Sequence, residues 1–361
     1  MLDIGKITNS MSKVCVLGDT HFGVRSDSKH FSDFYRKFYS EVFFPYLEEH
    51  DIREVYQLGD LFDRRKYINY YTLSECRDYF FDVAEEKGIH IHILIGNHDI
   101  FWRESLSINS PDLLLKDYGN ITLYDKPTTI KIDNTPYDII PWICKENEDE
   151  AYAYIGGSTS KYCMGHFEIS GFQMYKGIES HDGISPSIFN RYNLVLSGHY
   201  HHRSNNGNIT YVGTPTEHTW ADFEDPRGFH ILDTDTGELE FIENPFNIFT
   251  KVYYDDTKEI GYGAADFTDK HVKLVVVNKT DYYKFDQFVD SIYKANPIEL
   301  KIVEDMSEFE GTTDNNTEVD LEDTMTLLSQ YVDNIETEAN KDKIKTIMKT
   351  LYVEAQNWES E

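Results

Sequence analysis

Five short clusters in this chain gather carboxylate, imidazole and amide side chains: Asp19-Thr20-His21, Asp60 with Asp63, Asn97-His98-Asp99, His166, and His199 with His201. A glycine stands directly before each of them, at 18, 59, 96, 165 and 198. Together they offer oxygen and nitrogen ligands and no thiolate, a set that suits Mn²⁺, Fe²⁺ or Zn²⁺ better than a soft metal. A carboxylate in the middle of such an array can bridge two ions. Two ions held roughly 3.5–4 Å apart clamp both the attacking and the leaving oxygen of an in-line phosphoryl displacement. A lone Asp-x-His or Gly-His is usually a turn feature. Five in order, each behind an apolar run, point to a metal site.

The elements that must carry these residues follow from the apolar pattern. Residues 13–18, 54–58 and 90–95 are predicted strands, each ending in glycine and then a polar ligand. Residues 31–49 and 70–86 are predicted helices, the second closed by Lys87-Gly88. Strand–helix–strand–helix–strand is the grammar of a largely parallel sheet, whose ligands collect at the carboxyl ends of the strands. From Ile121 the pattern changes to short β segments at 121–124, 129–132, 137–140, 162–164, 194–196, 209–212, 228–232 and 239–242. Turn signals such as Asp133-Asn134 and Asn206-Gly207 lie between them. A second sheet packed on the first is expected, giving an α/β sandwich over 13–245. Alternating strands and an aromatic helix at 250–303 suggest a small α+β cap. An acidic linker at 304–320 and two amphipathic helices within 321–357 complete the expected layout.

Composition bounds the function. The net charge of -30 argues against a generally basic nucleic-acid binder. Twelve acids and no Lys or Arg lie between residues 302 and 340, and residues 341–361 are neutral, so residues 1–301 carry -18. DNA contact therefore requires a local basic patch, for which Arg64, Arg65 and Lys66 are the candidates. The plainer reading is that they neutralise nearby carboxylates. Cys15, Cys76, Cys144 and Cys163 are scattered singly, as in reduced cytoplasmic proteins. Residues 1–12 lack the apolar core of a signal peptide, and no apolar run is long enough for a membrane span.

The five clusters resemble the calcineurin-like metallophosphoesterase superfamily, whose pattern is D-x-H, G-D-x-x-D, G-N-H-D/E, G-H and G-H-x-H. The resemblance spans about residues 13–235. It implies that Asp19, His21, Asp60 and His201 hold one metal and Asp60, Asn97, His166 and His199 the other. It also implies that His98 assists the leaving oxygen without binding metal. Asp63 and Asp99 are expected to orient neighbouring loops and histidines. His90 and His92 read as ordinary sheet residues, while His202 and His218 are left unplaced.

Within the superfamily, Asp-Leu-Phe-Asp at 60–63 and Gly-Asn-His-Asp at 96–99 are similar to the SbcD-type DNA nucleases, most of all to phage recombination endonuclease subunits. Asp63 stands where many of those proteins carry histidine. The resemblance implies a Mn²⁺-dependent 3′-to-5′ exonuclease and single-strand endonuclease for recombination and repair. It further implies a homodimer within a heterotetramer, with residues 321–357 docking a coiled-coil ABC-type ATPase. A phosphatase or small-molecule phosphodiesterase on the same fold is the alternative, and the acidic surface speaks for it.

Overall fold

Strict alternation decides how the first strand, Lys13–Leu17, is packed. Val14 and Val16 enter one apolar layer and Cys15 and Leu17 the opposite one. A strand buried on both faces has to be apolar throughout, and this one is covered on both sides. The computed structural model describes residues 13–175, 177–181, 183–259 and 261–304, with isolated positions at 332, 341, 343–345 and 348. Residues through Ile302 belong to one compact unit and those from Val303 to a second.

Two six-stranded sheets form the core of the first unit. In one, Lys13–Leu17, Glu54–Gln57, His90–Leu94 and Ile121–Tyr124 run parallel. Gly228–Asp233 pairs antiparallel with Lys13–Leu17, and Leu239–Glu243 extends that edge. In the other, Ile209–Tyr211, Leu194–Gly198, Tyr162–His166 and Thr135–Ile140 are parallel, with antiparallel edges at Ser204–Asn206 and Thr128–Ile132. Val14, Val16, Tyr56, Leu58 and Leu94 of the first sheet share one buried layer with Tyr137, Ile139, Met164 and Leu196 of the second. This is the expected α/β sandwich.

Helices cover the first sheet's outer face. Lys29–Phe38 and Phe44–Glu49 are joined by a π-type turn at Tyr39–Phe43, and Tyr70–Cys76 and Asp82–Glu86 by another at Arg77–Phe81. Tyr39 and Tyr79, one from each wide turn, stack with centroids 5.9 Å apart and planes 15° from parallel. The helices predicted over 31–49 and 70–86 are thus present.

Three segments expected in the second sheet belong to the first. Ile121–Tyr124 pairs with His90–Leu94, and Gly228–Asp233 with Leu239–Glu243 closes the opposite side of the same sheet. Pattern alone locates a strand but not its neighbour, and these three are chosen by long-range pairing. Two hairpins also lie outside the sequence expectation, Ile100–Trp102 with Ser105–Asn109 and Phe172–Tyr175 with Ile178–Ser180.

Beyond Asn244, strands Phe249–Asp255, His271–Asn278 and Glu299–Glu304 make a three-stranded sheet with the helix Tyr282–Lys294, as the pattern over 250–303 predicted. Val252, Tyr254, Leu274, Val276 and Ile292 form its own apolar cluster. The linker expected at 304–320 and the helices expected within 321–357 lie outside the described residues, apart from the isolated positions given above. No helix among the described residues is long and apolar enough to cross a membrane.

Candidate metal centre

His166 ends the strand Tyr162–His166, and the other four clusters sit in the turns that leave the carboxyl ends of parallel strands, so the sandwich delivers all five to one edge. Left-handed backbone aims several of them. Gly59 has φ 98°, Asp60 52°, His21 43° and His199 90°. Gly59 has no alternative, since a Cβ there would stand 2.5 Å from His166 Nδ1. The first two loops are zipped together: His21 N donates to Asp60 O (3.1 Å), Phe22 N to Leu61 O (2.9 Å) and Thr20 Oγ1 to Leu61 O (3.0 Å).

Asp19, His21, Asp60 and His166 are buried, and Asn97, His98, His199 and His201 are half-buried. Three groupings bring potential ligand atoms within 4.8 Å of one another: Asp19 with His21 and Asp60, Asp60 with His166 and His199, and His21 with His201 and His218. Asp60 belongs to the first two. Asn97 Oδ1 lies 2.9 Å from both His166 Nε2 and His199 Nδ1, which ties the amide to the second grouping. The Nε2 atoms of His21 and His201 are 3.0 Å apart.

The hydrogen bonding shows that this set fits cations. His166 Nδ1 meets Leu58 O at 2.7 Å and donates a proton there, which leaves Nε2 to face Asn97 Oδ1 and, at 3.5 Å, Asp60 Oδ1, both of them acceptors. Burial opposes a charged His166, yet Asp60 outweighs it and lifts the imidazole to about 9, so without metal the ring carries a second proton, at Nε2, between those oxygens. A divalent cation bound there would take that proton's place, with Nε2 as its ligand. Burial likewise works against the Asp60 carboxylate, but His166 and His98 hold it well below the usual range. His21 and His201 are kept neutral, by burial first and then by neighbouring imidazoles. Neutral imidazoles and an ionised carboxylate are the forms that ligate metal. The His and Asp cluster is consistent with a dinuclear site.

Around it stands a ring of positioning contacts. Asp99, fully buried, accepts from Leu61 N (2.9 Å) and Gly96 N (2.8 Å) and so locks the second cluster's loop to the third's. Asp63 Oδ1 is 3.5 Å from His21 Nδ1, while Asp63 O accepts from His98 Nδ1 at 2.6 Å. His98 N donates to Asp60 Oδ1 at 2.7 Å. With Nδ1 engaged, His98 keeps Nε2 for other work. Burial disfavours its charged form, but Asp60 and Asp63 prevail and raise its pKa.

His90 and His92 are sheet residues as expected, His92 stacking on Tyr56 with centroids 4.3 Å apart and bonding Tyr124 and Glu54. His202 pairs with Asp225 at 2.8 Å. His218, which no motif singles out, is buried with its ring 5.4 Å from both His21 and His201. Arg227 was also missed. Its buried guanidinium bonds Asp222 (2.9 Å), Asp225 (2.6 Å) and the carbonyl of His201. Of the basic triplet, Arg64 pairs with Asp27 at 3.3 Å and lies over Tyr67, Arg65 donates to Ile100 O at 3.3 Å, and Lys66 is exposed.

The chain is similar to several known proteins. Residues 12–203 match the family model described as calcineurin-like phosphoesterase. Over 346 residues the chain is 33% identical to Exonuclease subunit 1 of Enterobacteria phage T4, covering 95% of this chain and 99% of that one. It is 26% identical over 218 residues to a putative phosphoesterase of Invertebrate iridescent virus 6, covering 59% of this chain and 73% of that one. A solved archaeal phosphodiesterase matches at 14% identity and TM-score 0.32, covering 64% of this chain and 99% of the other.

Proposed function

The chain belongs to the calcineurin-like phosphoesterase family, and from that premise we propose that it is a two-metal DNA nuclease, a 3′-to-5′ exonuclease and single-strand endonuclease serving phage recombination. The observation that carries this reading is Asp60, whose carboxylate is shared by two groupings of ligand atoms. Asp19, His21, Asp60 and His201 hold one ion; Asp60, Asn97, His166 and His199 hold the other. Two divalent ions, Mn²⁺ by preference, supply Lewis acidity toward the phosphate and a nucleophile at neutral pH when bound. His98 delivers a proton from Nε2 to the leaving oxygen, its ring oriented by the bond to Asp63 O. Asp63 and Asp99 hold the ligand loops in place.

Likeness to an exonuclease subunit over nearly the whole of both chains supports DNA as the substrate. Arg64, Arg65 and Lys66 guide its backbone beside Asp60. Residues 13–245 act as the nuclease domain and 250–303 as the cap. The active form is a homodimer within a heterotetramer, in which residues 321–357 dock a coiled-coil ABC-type ATPase. Deleting 318–361 should end co-purification with that ATPase, and continued co-purification would put the docking surface elsewhere. The acidic charge of -30 favours the second reading, a phosphatase on the same fold. Mn²⁺-dependent cleavage of linear DNA, measured beside a phosphoprotein and a small phosphodiester, separates the two. DNA cleavage that Arg64→Glu with Arg65→Glu abolishes, while diester hydrolysis persists, is expected. Dephosphorylation of the protein without DNA cleavage would reverse the assignment.

A further inference from the structure

The two ions proposed above leave one grouping of ligand atoms without a full account. His21, His201 and His218 each bring a nitrogen within 4.8 Å of the other two, and no carboxylate belongs to this set. The ring centroids of His21 and His201 are 4.8 Å apart, and that of His218 is 5.4 Å from each. Two nitrogens that ligate one zinc ion at about 2.0–2.1 Å stand roughly 3–3.4 Å from each other. The Nε2 atoms of His21 and His201, at 3.0 Å, already have that spacing.

The loop that carries His218 is bound to the turn that carries His201. Thr214 N donates to His201 O at 3.2 Å, and the Arg227 guanidinium bonds that carbonyl, Thr214 Oγ1 (2.8 Å) and Asp222 (2.9 Å). Asp222 Oδ2 in turn accepts from His218 N at 2.7 Å, and Arg25 Nε donates to His218 O at 2.9 Å. Gly213, with φ 71°, permits the close approach, since a Cβ there would stand 3.0 Å from His201 O. The His218 side chain is fixed by these contacts in a residue only 1% exposed. Its Nε2 lies 3.3 Å from Thr216 Oγ1, and its Nδ1 has no hydrogen-bond partner among the described residues. A buried polar atom left without a partner is costly, and a bound cation would supply the missing contact.

We propose that His218 is a third imidazole ligand of the ion assigned to Asp19, His21, Asp60 and His201. This rests on the two-metal reading above and adds to it that the two positions are unequal. The other position has two imidazoles, His166 and His199, with the Asn97 amide oxygen and the shared Asp60 carboxylate. Imidazole nitrogen suits Zn²⁺ and Fe²⁺, whereas carboxylate and carbonyl oxygen suit Mn²⁺. Any mixed nitrogen and oxygen site binds Zn²⁺ more tightly than Mn²⁺. A third imidazole widens that gap at one position only. The His218 position therefore holds a nitrogen-seeking ion tightly, and its neighbour exchanges for Mn²⁺ more readily.

The test titrates the metal-free, full-length chain with Zn²⁺ and, separately, with Mn²⁺ against a coloured chelator, and reads the stepwise affinities. The wild type should bind two ions of either metal, with the larger Zn²⁺-to-Mn²⁺ affinity ratio at one position. His218→Phe fills similar space without a lone pair. It should weaken Zn²⁺ about tenfold or more at that position, weaken Mn²⁺ less, and leave the other position unchanged. His218→Gln offers an amide oxygen in place of nitrogen, so it should keep most of the Mn²⁺ affinity while the ratio still falls severalfold. Loaded with Co²⁺, the wild type and His218→Phe should differ in visible absorption, because one ion loses a nitrogen ligand. A ratio taken within one protein cancels any general loss of folded chain. Two ions bound with the ratio unchanged in both variants would make His218 a packing residue and leave the two-metal reading intact. A wild type that binds fewer than two ions would overturn that reading and this one with it.

Discussion

The side chains of His21 and His201 meet with their Nε2 atoms 3.0 Å apart, although 180 residues separate them in the chain. Both imidazoles are held neutral by burial and by each other's neighbourhood, so their lone pairs can converge on one cation. The Arg227 guanidinium anchors this arrangement from behind, through the carbonyl of His201.

Arg227→Met should therefore destabilise the fold. The substitution leaves Asp222 and Asp225 buried without their partner, a loss of about 3–5 kcal/mol for a broken buried ion pair. Urea unfolding of the metal-free protein checks this, and a change under 1 kcal/mol would mean that water or His202 already satisfies those carboxylates.

His98→Gln separates catalysis from ligation. Nothing in the ligand groupings includes His98, so the variant should bind as many ions as the wild type. Cleavage should fall about 10²–10⁴-fold, the usual weight of a positioned general acid. Elemental analysis of the purified variant is the control, since a missing ion would make His98 a ligand.

Much of this was legible in the residues themselves. Asp133-Asn134 has φ values of 46° and 69°, the twist a two-residue hairpin demands, and the strands flank it as the turn signal implies. Gly59-Asp60 marked a strand end because only such a turn aims a carboxylate off a sheet edge. What remained hidden depends on long-range contact. Gly228–Asp233 announces a strand but not that it pairs with Lys13–Leu17. His218 reaches the site because its loop packs there, and no spacing records that. The wide turns at Tyr39–Phe43 and Arg77–Phe81 fall within helical periodicity and arise where bulky aromatic side chains pack.

Glu217 supplies a pH dependence. Its carboxylate, 5% exposed, accepts from Ile248 N (2.7 Å) and Phe249 N (3.1 Å) and pins the 214–218 loop to the strand Phe249–Asp255. Burial lifts its pKa from 4.5 to about 7. The folded protein thus holds this proton more tightly than the unfolded chain. The stability it contributes is present below about pH 4.5 and is lost as pH rises through 7. Glu217→Gln should melt higher than wild type at pH 8 and show little difference at pH 4.5. Melting curves that differ by the same amount at both pH values would show that Glu217 is not titrating in this range.

The most direct measurement is the number of Mn²⁺ ions bound per chain, by equilibrium dialysis with elemental analysis, in the wild type and in Asp60→Ala. Asp60 is shared by two groupings of ligand atoms, so the wild type should hold two ions and the variant should lose both. A variant that keeps one ion at wild-type affinity would contradict a bridging Asp60, and a wild type that holds only one would contradict the dinuclear centre itself.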